Sequence, residues 1–321
     1  MKGEKRKIAV LGDVALDFYY FTKLSDEISV ETNLPVNIIS RYSYGAGGAG
    51  NLAVNIATLG AECDIYGICG DDIWADILKR SMNSAGVHTE HYIASPDFNT
   101  FVYHKIYTED DQELPRYDLG GDNVYPTEAL DTLLEQLEMN LDQYDELVIN
   151  QQFSNSLHTP YFQEKLTRIL EKSRISVWLD SREGINYPRC SYKINLSEAQ
   201  AHSGKKTPEE CVTALYEKYC AGDFRPSIVV TLGAEGAISY DGNAIGRVPG
   251  INATWTMDTV GAGDAFLSGL VYSLAGSASL SEALPFANAS AAVSTKTLRA
   301  TGHPTKSEIE ELLQDPDYRA L

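Results

Sequence analysis

Short apolar runs alternate with helical patterns over most of the chain. The first run, Ile8-Ala9-Val10-Leu11, is continuous, as expected for a strand buried on both faces of a parallel sheet. From residue 127 onward, strands and helices with apolar residues at every third or fourth position follow each other regularly. This order predicts an α/β fold with a doubly wound parallel sheet and helices on both faces. The predicted strands are 8–11, 64–68, 147–149, 175–179, 192–194 and 228–230, with a hairpin at 237–248, and the predicted helices are 52–59, 75–85, 127–141, 161–172, 208–219, 266–274, 282–295 and a last one begun at 305.

Two segments have a different pattern. Residues 14–44 and 92–118 mix aromatic and polar residues in short alternating runs, which is typical of strands with one face in water. We expect them to form a small separate β-sheet, a lid that covers the main sheet. Because no internal repeat or Pro/Gly-rich linker interrupts the sequence, residues 1–321 are predicted to form a single domain with this lid.

Polar residues stand at the carboxyl ends of several predicted strands. Asp13 follows the first strand, Asp180 follows 175–179, and Asn195 follows 192–194. Thr231 and Gly233 come directly after 228–230. Ligands of doubly wound sheets bind just beyond the carboxyl ends of the strands. These positions therefore predict a binding site at one edge of the sheet.

The stretch from Asp258 to Phe266 opens a helical pattern with small residues. Uncovered N–H groups at a helix N-terminus attract an anion, and a carboxylate, Asp264, lies in the first turn of the same helix. An anion site with an acid beside it suits phosphoryl transfer. An ordinary tight turn followed by a helix is the alternative interpretation of these nine residues.

Residues 45–50 satisfy the G-x-G-x-x-G pattern of dinucleotide-binding proteins, and Asp71 follows about 20 residues later. An NAD-dependent oxidoreductase is therefore the alternative function. The preceding residues, however, have the pattern of a lid strand rather than of a buried first strand. Asn51 also places a polar amide directly at the helix start, and this alternative leaves residues 258–266 without a role.

Composition and charge narrow the class of protein. The 321 residues include 45 acidic and 26 basic ones, a net charge of −19, which argues against nucleic acid or an anionic membrane as a partner. No run approaches the roughly 20 apolar residues of a membrane span, and the first apolar run is too short for a signal peptide. The five cysteines form no C-x-x-C pair and the six histidines show no zinc-site spacing. We expect a cytoplasmic protein that acts on small molecules.

Two signatures of this sequence resemble those of the ribokinase-like (PfkB) carbohydrate kinases. The first covers residues 47–53, which read Gly-Gly-Ala-Gly-Asn-Leu-Ala, with Gly60 and Gly70 at the spacings of that family. The second covers residues 258–271. Residues 195–198 stand in the place of the family's NxxE motif, and residues 231–236 in the place of its TxGxxG motif. The resemblance extends from Ile8 to the last helix.

The resemblance implies an ATP-dependent sugar kinase of the ribokinase-like fold. It implies that Asp264 is the catalytic base and that the backbone N–H groups of Gly261, Ala262 and Gly263 form an anion hole for the transferred phosphoryl group. For Asp258 it implies binding of a monovalent cation such as K⁺, with a helix N-cap as the alternative. The other implied residues are Asp13, Asp17, Gly47, Gly48 and Asn51 for the sugar, Asn195, Thr231, Gly233 and Gly236 for the nucleotide, and Asn195 with Glu198 for Mg²⁺ through water.

Within the family, several short segments resemble the heptose-7-phosphate kinase branch, among them residues 12–17 and 180–182. Lys105, Arg116 and Arg182 are candidate ligands of a substrate phosphate, and surface ion pairs are the alternative explanation for them. The chain departs from that branch at residues 150–155 and 119–120, which approach the sugar. That branch is often fused to a nucleotidyltransferase, which we do not expect within 321 residues. The resemblance also implies a homodimer formed through the lid, and a non-catalytic sugar-binding member of the fold remains a third alternative.

Overall fold

The computed structural model describes residues 5–220, 226–252 and 255–315, which form two β-sheets and the helices around them. Residues 1–4 and 316–321, at the two ends of the predicted single domain, lie outside the described ranges.

Ten strands of the described part of the chain form the larger sheet. They are β1 (Lys7–Gly12), β4 (Glu62–Gly70), β5 (Val87–His88), β6 (Tyr92–Ser95), β9 (Glu146–Gln151), β10 (Ser176–Ser181), β11 (Cys190–Asn195), β12 (Ile228–Thr231), β13 (Ala237–Tyr240) and β14 (Ile245–Val248). Their order is β14-β13-β12-β11-β10-β9-β1-β4-β5, with β6 beside β4. Neighbours from β12 to β5 pair in parallel, whereas β13 and β14 form an antiparallel hairpin at one edge.

Helices cover both faces of this sheet, as predicted. They are α1 (Ala49–Thr58), α2 (Ile73–Ser84), α3 (Thr127–Asn140), α4 (Pro160–Lys172), α5 (Leu196–Ser203), α6 (Pro208–Tyr219), α7 (Ala262–Ala275), α8 (Leu280–Ser294) and α9 (Lys306–Gln314). The apolar run of β1 is continuous because the strand is buried on both faces of the sheet. Ile8 and Val10 belong to the core under α1 and α7, whereas Ala9 and Leu11 belong to the core under α3 and α4. Among the described helices, none combines the length and the apolar character that crossing a bilayer requires.

The smaller sheet is the predicted lid, with one correction. Its strands are β2 (Val14–Ile28), β3 (Pro35–Gly48), β7 (Phe101–Tyr107) and β8 (Tyr117–Leu119), in the order β3-β2-β7-β8. Tyr92–Ser95, which was expected in the lid, instead pairs in parallel with β4 of the main sheet. Tyr92 is buried beside Gly67, where the absence of a side chain leaves room for the tyrosine ring. The aromatic residue at the start of this segment is a core residue, so the lid pattern was misleading there.

Candidate active site

The glycine-rich run before α1 ends a lid strand. Gly45–Gly48 are the last residues of β3, which pairs antiparallel with β2. Gly48 has a left-handed backbone (φ 58°), and a Cβ there would overlap the carbonyl oxygen of Asp13. A dinucleotide fingerprint instead joins a strand of the main parallel sheet to its helix. The alternative of an NAD-dependent oxidoreductase built on residues 45–50 is therefore wrong.

Helix α7 begins directly after a second left-handed glycine. Gly261 is its N-cap residue, with φ 76°, and a Cβ at this position would lie 3.1 Å from Nδ2 of Asn51. Asp258 is thus not the N-cap, which corrects that alternative. Its carboxylate accepts hydrogen bonds from the N–H groups of Val260 at 3.0 Å and Arg299 at 2.7 Å, and so joins two loops beside the helix start.

The N-terminus of α7 presents unpaired donors. The N–H group of Ala262 donates to the carbonyl of Thr259 at 3.1 Å. Over the ranges that the structure describes, the N–H groups of Gly261, Gly263 and Asp264 meet no acceptor. Of the three predicted anion-hole residues, two therefore keep their donors available, and Asp264 supplies the third N–H group. Such donors at a helix N-terminus favour an anion.

A buried lysine lies directly beside these donors. Nζ of Lys193 would be 3.1 Å from a Cβ on Gly263, and it donates to Oδ2 of Asp180 at 2.9 Å. Burial would lower the pKa of Lys193, but the negative charges of Asp180 and Asp264 outweigh burial and raise the pKa, so the side chain is an ammonium. Lys193 was not among the site residues predicted from the sequence. A lysine between Tyr192 and Ile194, in a predicted strand of the main sheet, was the signal for it.

The carboxylate of Asp264 lies partly buried in the first turn of α7. Nδ2 of Asn51 donates to its Oδ2 at 2.6 Å. Burial, followed by the negative charge of Asp180, raises the pKa of Asp264 to about 6, although Lys193, Asn51 and Arg182 act in the opposite direction. A carboxylate with this pKa is mostly ionised at neutral pH and accepts a proton more readily than an ordinary aspartate, which suits a general base.

The other side of the Asn51 amide is held by one residue of the same helix and one residue of a distant loop. Nε2 of His303 lies 3.0 Å from Oδ1 of Asn51, and Nδ2 of Asn55 lies 3.3 Å from the same oxygen. His303 was not predicted as a site residue, because the histidine spacing of the sequence indicates only the absence of a zinc site. Nothing in the local sequence indicates its contact with a residue 252 positions away.

A cavity of about 430 Å³ lies between the lid and the carboxyl ends of the central strands. In this lid pocket, Nζ of Lys105 contacts Oδ1 of Asp17 at 2.8 Å, and Arg116 donates two hydrogen bonds of 2.7 Å to Asp118. The ion-pair explanation therefore holds for Lys105 and Arg116. Arg182 differs, because its guanidinium has no acidic partner among the described residues. The predicted residues that line this pocket are Asp17, Gly47, Gly48, Asn51, Gly261 and Asp264.

Asp13 supports the lid pocket instead of lining it. Its buried carboxylate accepts hydrogen bonds from Oγ of Ser156 and from the N–H groups of Leu157, Gln152 and Phe153, at 2.9 to 3.3 Å. A buried carboxylate needs such donors, and the loop after β9 supplies them. Asp13, predicted to contact the sugar, is thus occupied with holding the loop whose residues 152–155 line the pocket.

Two other cavities also reach the N-terminus of α7. The helix cleft, about 220 Å³, is bounded by the turn between β12 and β13 and by α7 and α8, and its lining includes the predicted nucleotide residues Thr231, Gly233 and Gly236. The central cleft, about 570 Å³, contains Lys193 and Glu198. The three cavities meet at residues 261–264, because each cavity is lined by some of these four residues.

Asn195 and Glu198 form a capping box at the start of α5 in the central cleft. The N–H group of Glu198 donates to Oδ1 of Asn195 at 2.9 Å, and Oε2 of Glu198 accepts from the N–H group of Asn195 at 3.2 Å. No cluster of three or more metal-ligating side chains occurs in the described part of the chain. One carboxylate and one amide do not form a protein cage, but they fit a hydrated Mg²⁺ ion whose remaining ligands are waters and phosphates.

Comparison with known proteins agrees with this geometry. Residues 5–306 match the family described as pfkB family carbohydrate kinase. The bifunctional protein HldE of Cronobacter sakazakii is 30% identical over 314 residues, which cover 96% of this chain and 63% of that protein. Several HldE proteins match in this way, and the chain spans 61–66% of their length.

Two solved structures show the same fold. Arabidopsis thaliana ribokinase, complexed with ribose and ATP, is 17% identical with a TM-score of 0.74 and covers 97% of this chain and 100% of its own. A putative ribokinase II from E. coli, in complex with ATP and Mg²⁺, is 18% identical with a TM-score of 0.71 and covers 96% of this chain and 99% of its own. With its fold, both glycine-rich segments and the family match over residues 5–306, the chain belongs to the pfkB family of carbohydrate kinases.

Proposed function

We propose that this kinase transfers the γ-phosphoryl group of ATP to a hydroxyl group of a sugar or sugar phosphate. The observation that carries the proposal is the position of residues 261–264. They lie where the lid pocket and the two clefts meet, with a carboxylate facing the lid pocket and N–H donors beside it. An acceptor in the lid pocket and a nucleotide in the helix cleft would therefore face each other across the N-terminus of α7.

The chemistry follows from the groups at this junction. Asp264 takes the proton of the acceptor hydroxyl while the hydroxyl oxygen attacks the γ-phosphorus, and ADP leaves on the opposite side. The N–H groups of Gly261 and Gly263 and the ammonium of Lys193 stabilise the negative charge that develops on the transferred group. Because these donors are held by a helix and a central strand, they need no reorganisation during the reaction.

The nucleotide is proposed to occupy the helix cleft, with Thr231, Gly233 and Gly236 against it. Asn195 and Glu198 would hold Mg²⁺ through water, and the ion would neutralise part of the charge of the nucleotide phosphates. The E. coli structure that contains ATP and Mg²⁺ supports this pair of cofactors. Asp258, which joins the loops beside the anion site, remains our candidate for a K⁺ contact.

The acceptor is proposed to occupy the lid pocket, where Asp17 and Asn51 would bind hydroxyl groups and Gly47 and Gly48 leave room for them. Arg182 suits a phosphate group because no carboxylate pairs with it within the described ranges. Together with the resemblance to the heptose-7-phosphate kinase branch, this makes heptose 7-phosphate the first acceptor to test.

The experiment is an ADP-release screen with Mg·ATP across pentoses, hexoses, nucleosides and heptose phosphates. We expect ADP release that depends on one acceptor class, together with thermal stabilisation of the protein by Mg·ATP. A protein stabilised by ligands that releases no ADP with any acceptor would instead be the non-catalytic sugar-binding member of the fold.

A homodimer through the lid is proposed from the surface of the β2–β3 hairpin. Strand β3 is an edge strand, and its hairpin exposes large apolar side chains to an unusual degree, with Leu24 85% exposed. The others are Ile28, Val30, Leu34, Ile38, Ile39, Tyr42 and Tyr44. We expect a dimer in sedimentation equilibrium and a monomer after Leu24→Lys with Leu34→Asp. An unchanged mass in the double variant would contradict a dimer at this surface.

A further inference from the structure

The amide group of Asn51 has one correct orientation in this site. Its Nδ2 must face Oδ2 of Asp264, at 2.6 Å, because the carboxylate offers only acceptors. Rotation of the amide by 180° would place an oxygen against the carboxylate. A donor to Oδ1 of Asn51 stabilises this same orientation of the amide.

Two donors face this oxygen. The amide of Asn55 is the weaker one, because it lies 3.3 Å away and also donates to the backbone carbonyl of Asn51 at 2.9 Å. Nε2 of His303 is closer, at 3.0 Å, and it acts as a donor when the ring carries its proton there. Burial lowers the pKa of His303, so the ring is neutral at physiological pH.

The loop that carries His303 is held in place on both sides. Gly302 packs so closely against the end of α8 that a Cβ would overlap the carbonyl oxygen of Ser294. Pro304 is buried, and Thr305 caps α9 through its hydroxyl. The imidazole thus comes from a well-packed segment, which is what the support of a catalytic group requires.

We propose that His303 is a positioning residue of the phosphoryl transfer, which locks the amide of Asn51 so that Asp264 keeps one oxygen bound and the other directed to the acceptor hydroxyl. Within the described part of the chain, Oδ1 of Asp264 accepts no hydrogen bond, so it is the oxygen left for the substrate proton. The inference rests on the proposed function, because it assigns the support of the proposed base.

The charged groups around Asp264 determine how the pH–rate profile changes when His303 is lost. Asp180 raises the pKa of Asp264, whereas Lys193, Arg182 and the Asn51 hydrogen bond lower it. If the Asn51 amide becomes free to rotate, one of the effects that lower the pKa weakens while the other charges stay. The acidic limb of the pH–rate profile then moves to higher pH.

The experiment compares His303→Leu, which fills the space without a donor, with His303→Gln, whose amide can donate at a similar reach. His88→Leu, which removes an exposed hydrogen bond with Asp64, is the matched control. We expect His303→Leu to lower kcat about tenfold or more, with the acidic limb shifted upward and a smaller change in acceptor KM. We expect His303→Gln to restore most of the rate and the wild-type limb.

Equal loss in the Leu and Gln variants with an unmoved acidic limb would overturn the proposal, because a packing role predicts that result. Wild-type rates in both variants would overturn it as well. Thermal melting of each variant identifies loss of folding, and in that case the Gln variant alone is compared with the wild type. Asp264→Asn is measured in parallel. If this variant retains the wild-type kcat, the assignment of the base is wrong, and the role of His303 is wrong with it. If Asp264→Asn is inactive but His303→Leu is unaffected, only the role of His303 is rejected.

Discussion

The lid pocket and the helix cleft share the N-terminus of α7 but are lined by different kinds of residue. Charged side chains from distant elements line the lid pocket: Asp17 from β2, Lys105 from β7, Asp118 from β8 and Arg182 after β10. Small and apolar residues line the helix cleft, among them five at 233–236 and 262–263. One cavity offers side chains to a ligand, and the other mainly offers backbone and shape.

This difference separates what each cavity can recognise. Backbone donors and glycines suit a ligand part that stays the same, such as the phosphates of a nucleotide. Paired side chains suit a variable pattern of hydroxyl and phosphate groups, because each pair can be exchanged without changing the fold. The contrast predicts that substitutions at the junction affect the chemical step, whereas substitutions within one cavity affect one substrate.

The largest effect is expected at the junction itself, from Asp264→Asn. The amide keeps the shape of the side chain but cannot take the proton, so kcat should fall about 10²–10⁴-fold. Binding of Mg·ATP, measured by calorimetry, should remain close to that of the wild type because the helix cleft is unchanged. Near-wild-type turnover would show that another group is the base.

The second-largest effect is expected from Lys193→Met. The substitution removes a positive charge beside the anion site and leaves Asp180 buried without its partner. We expect kcat to fall about 10²-fold and the free energy of unfolding to drop by about 3–5 kcal/mol. Denaturant titration and steady-state kinetics measure the two effects.

A double variant separates stability from catalysis at this lysine. Adding Asp180→Asn to Lys193→Met removes the unpaired charge, so the free energy of unfolding should recover while kcat stays low. Recovery of both quantities would mean that Lys193 acts only as a structural partner of Asp180.

The two cavities also explain which parts of the site the sequence could predict. Gly261, Gly263 and Gly233 are recognisable because a helix N-terminus or a tight turn leaves its mark in adjacent residues. Lys193 and His303 were missed because their roles depend on contacts between segments far apart in the chain, such as that between Asn51 and His303.

Asp13 and Tyr92 show how tertiary packing decides the use of a residue that a local pattern singles out. Asp13 has the strand-end position of a ligand-binding residue, but the nearest buried N–H groups compete for its carboxylate and hold it in the loop after β9. Tyr92 has the aromatic pattern of the lid, but a neighbouring glycine in β4 leaves room for its ring in the core. Local pattern predicts the element or the residue type in both cases, and tertiary packing decides its use.

The next effect is a pH dependence of kcat. It arises from Asp264 at the junction of the cavities, and from neither cavity alone. Because Asp264 must be ionised to act as the base and burial raises its pKa to about 6, log kcat should fall with decreasing pH below this value and level off above it. At pH 5 the rate should be about tenfold below the plateau. Asp180→Asn should move the limb to lower pH, since the charge of Asp180 raises the pKa of Asp264. A limb that stays at the same pH in Asp264→Glu and Asp180→Asn would assign it to another group.

The smallest effects test each cavity by itself. Lys105→Met removes the ammonium that contacts Asp17 at 2.8 Å. We expect it to raise the acceptor KM about tenfold without changing the KM for ATP.

Gly233→Ala places a methyl group in the open space of the helix cleft, at a residue with φ 62°, where the backbone strain is about 1 kcal/mol. We expect it to raise the KM for ATP a few-fold without changing the KM for the acceptor. Steady-state kinetics with either substrate varied measures both. If each variant changed both KM values alike, the lid pocket and the helix cleft would be one coupled site, and the separation between side-chain and backbone recognition would have to be abandoned.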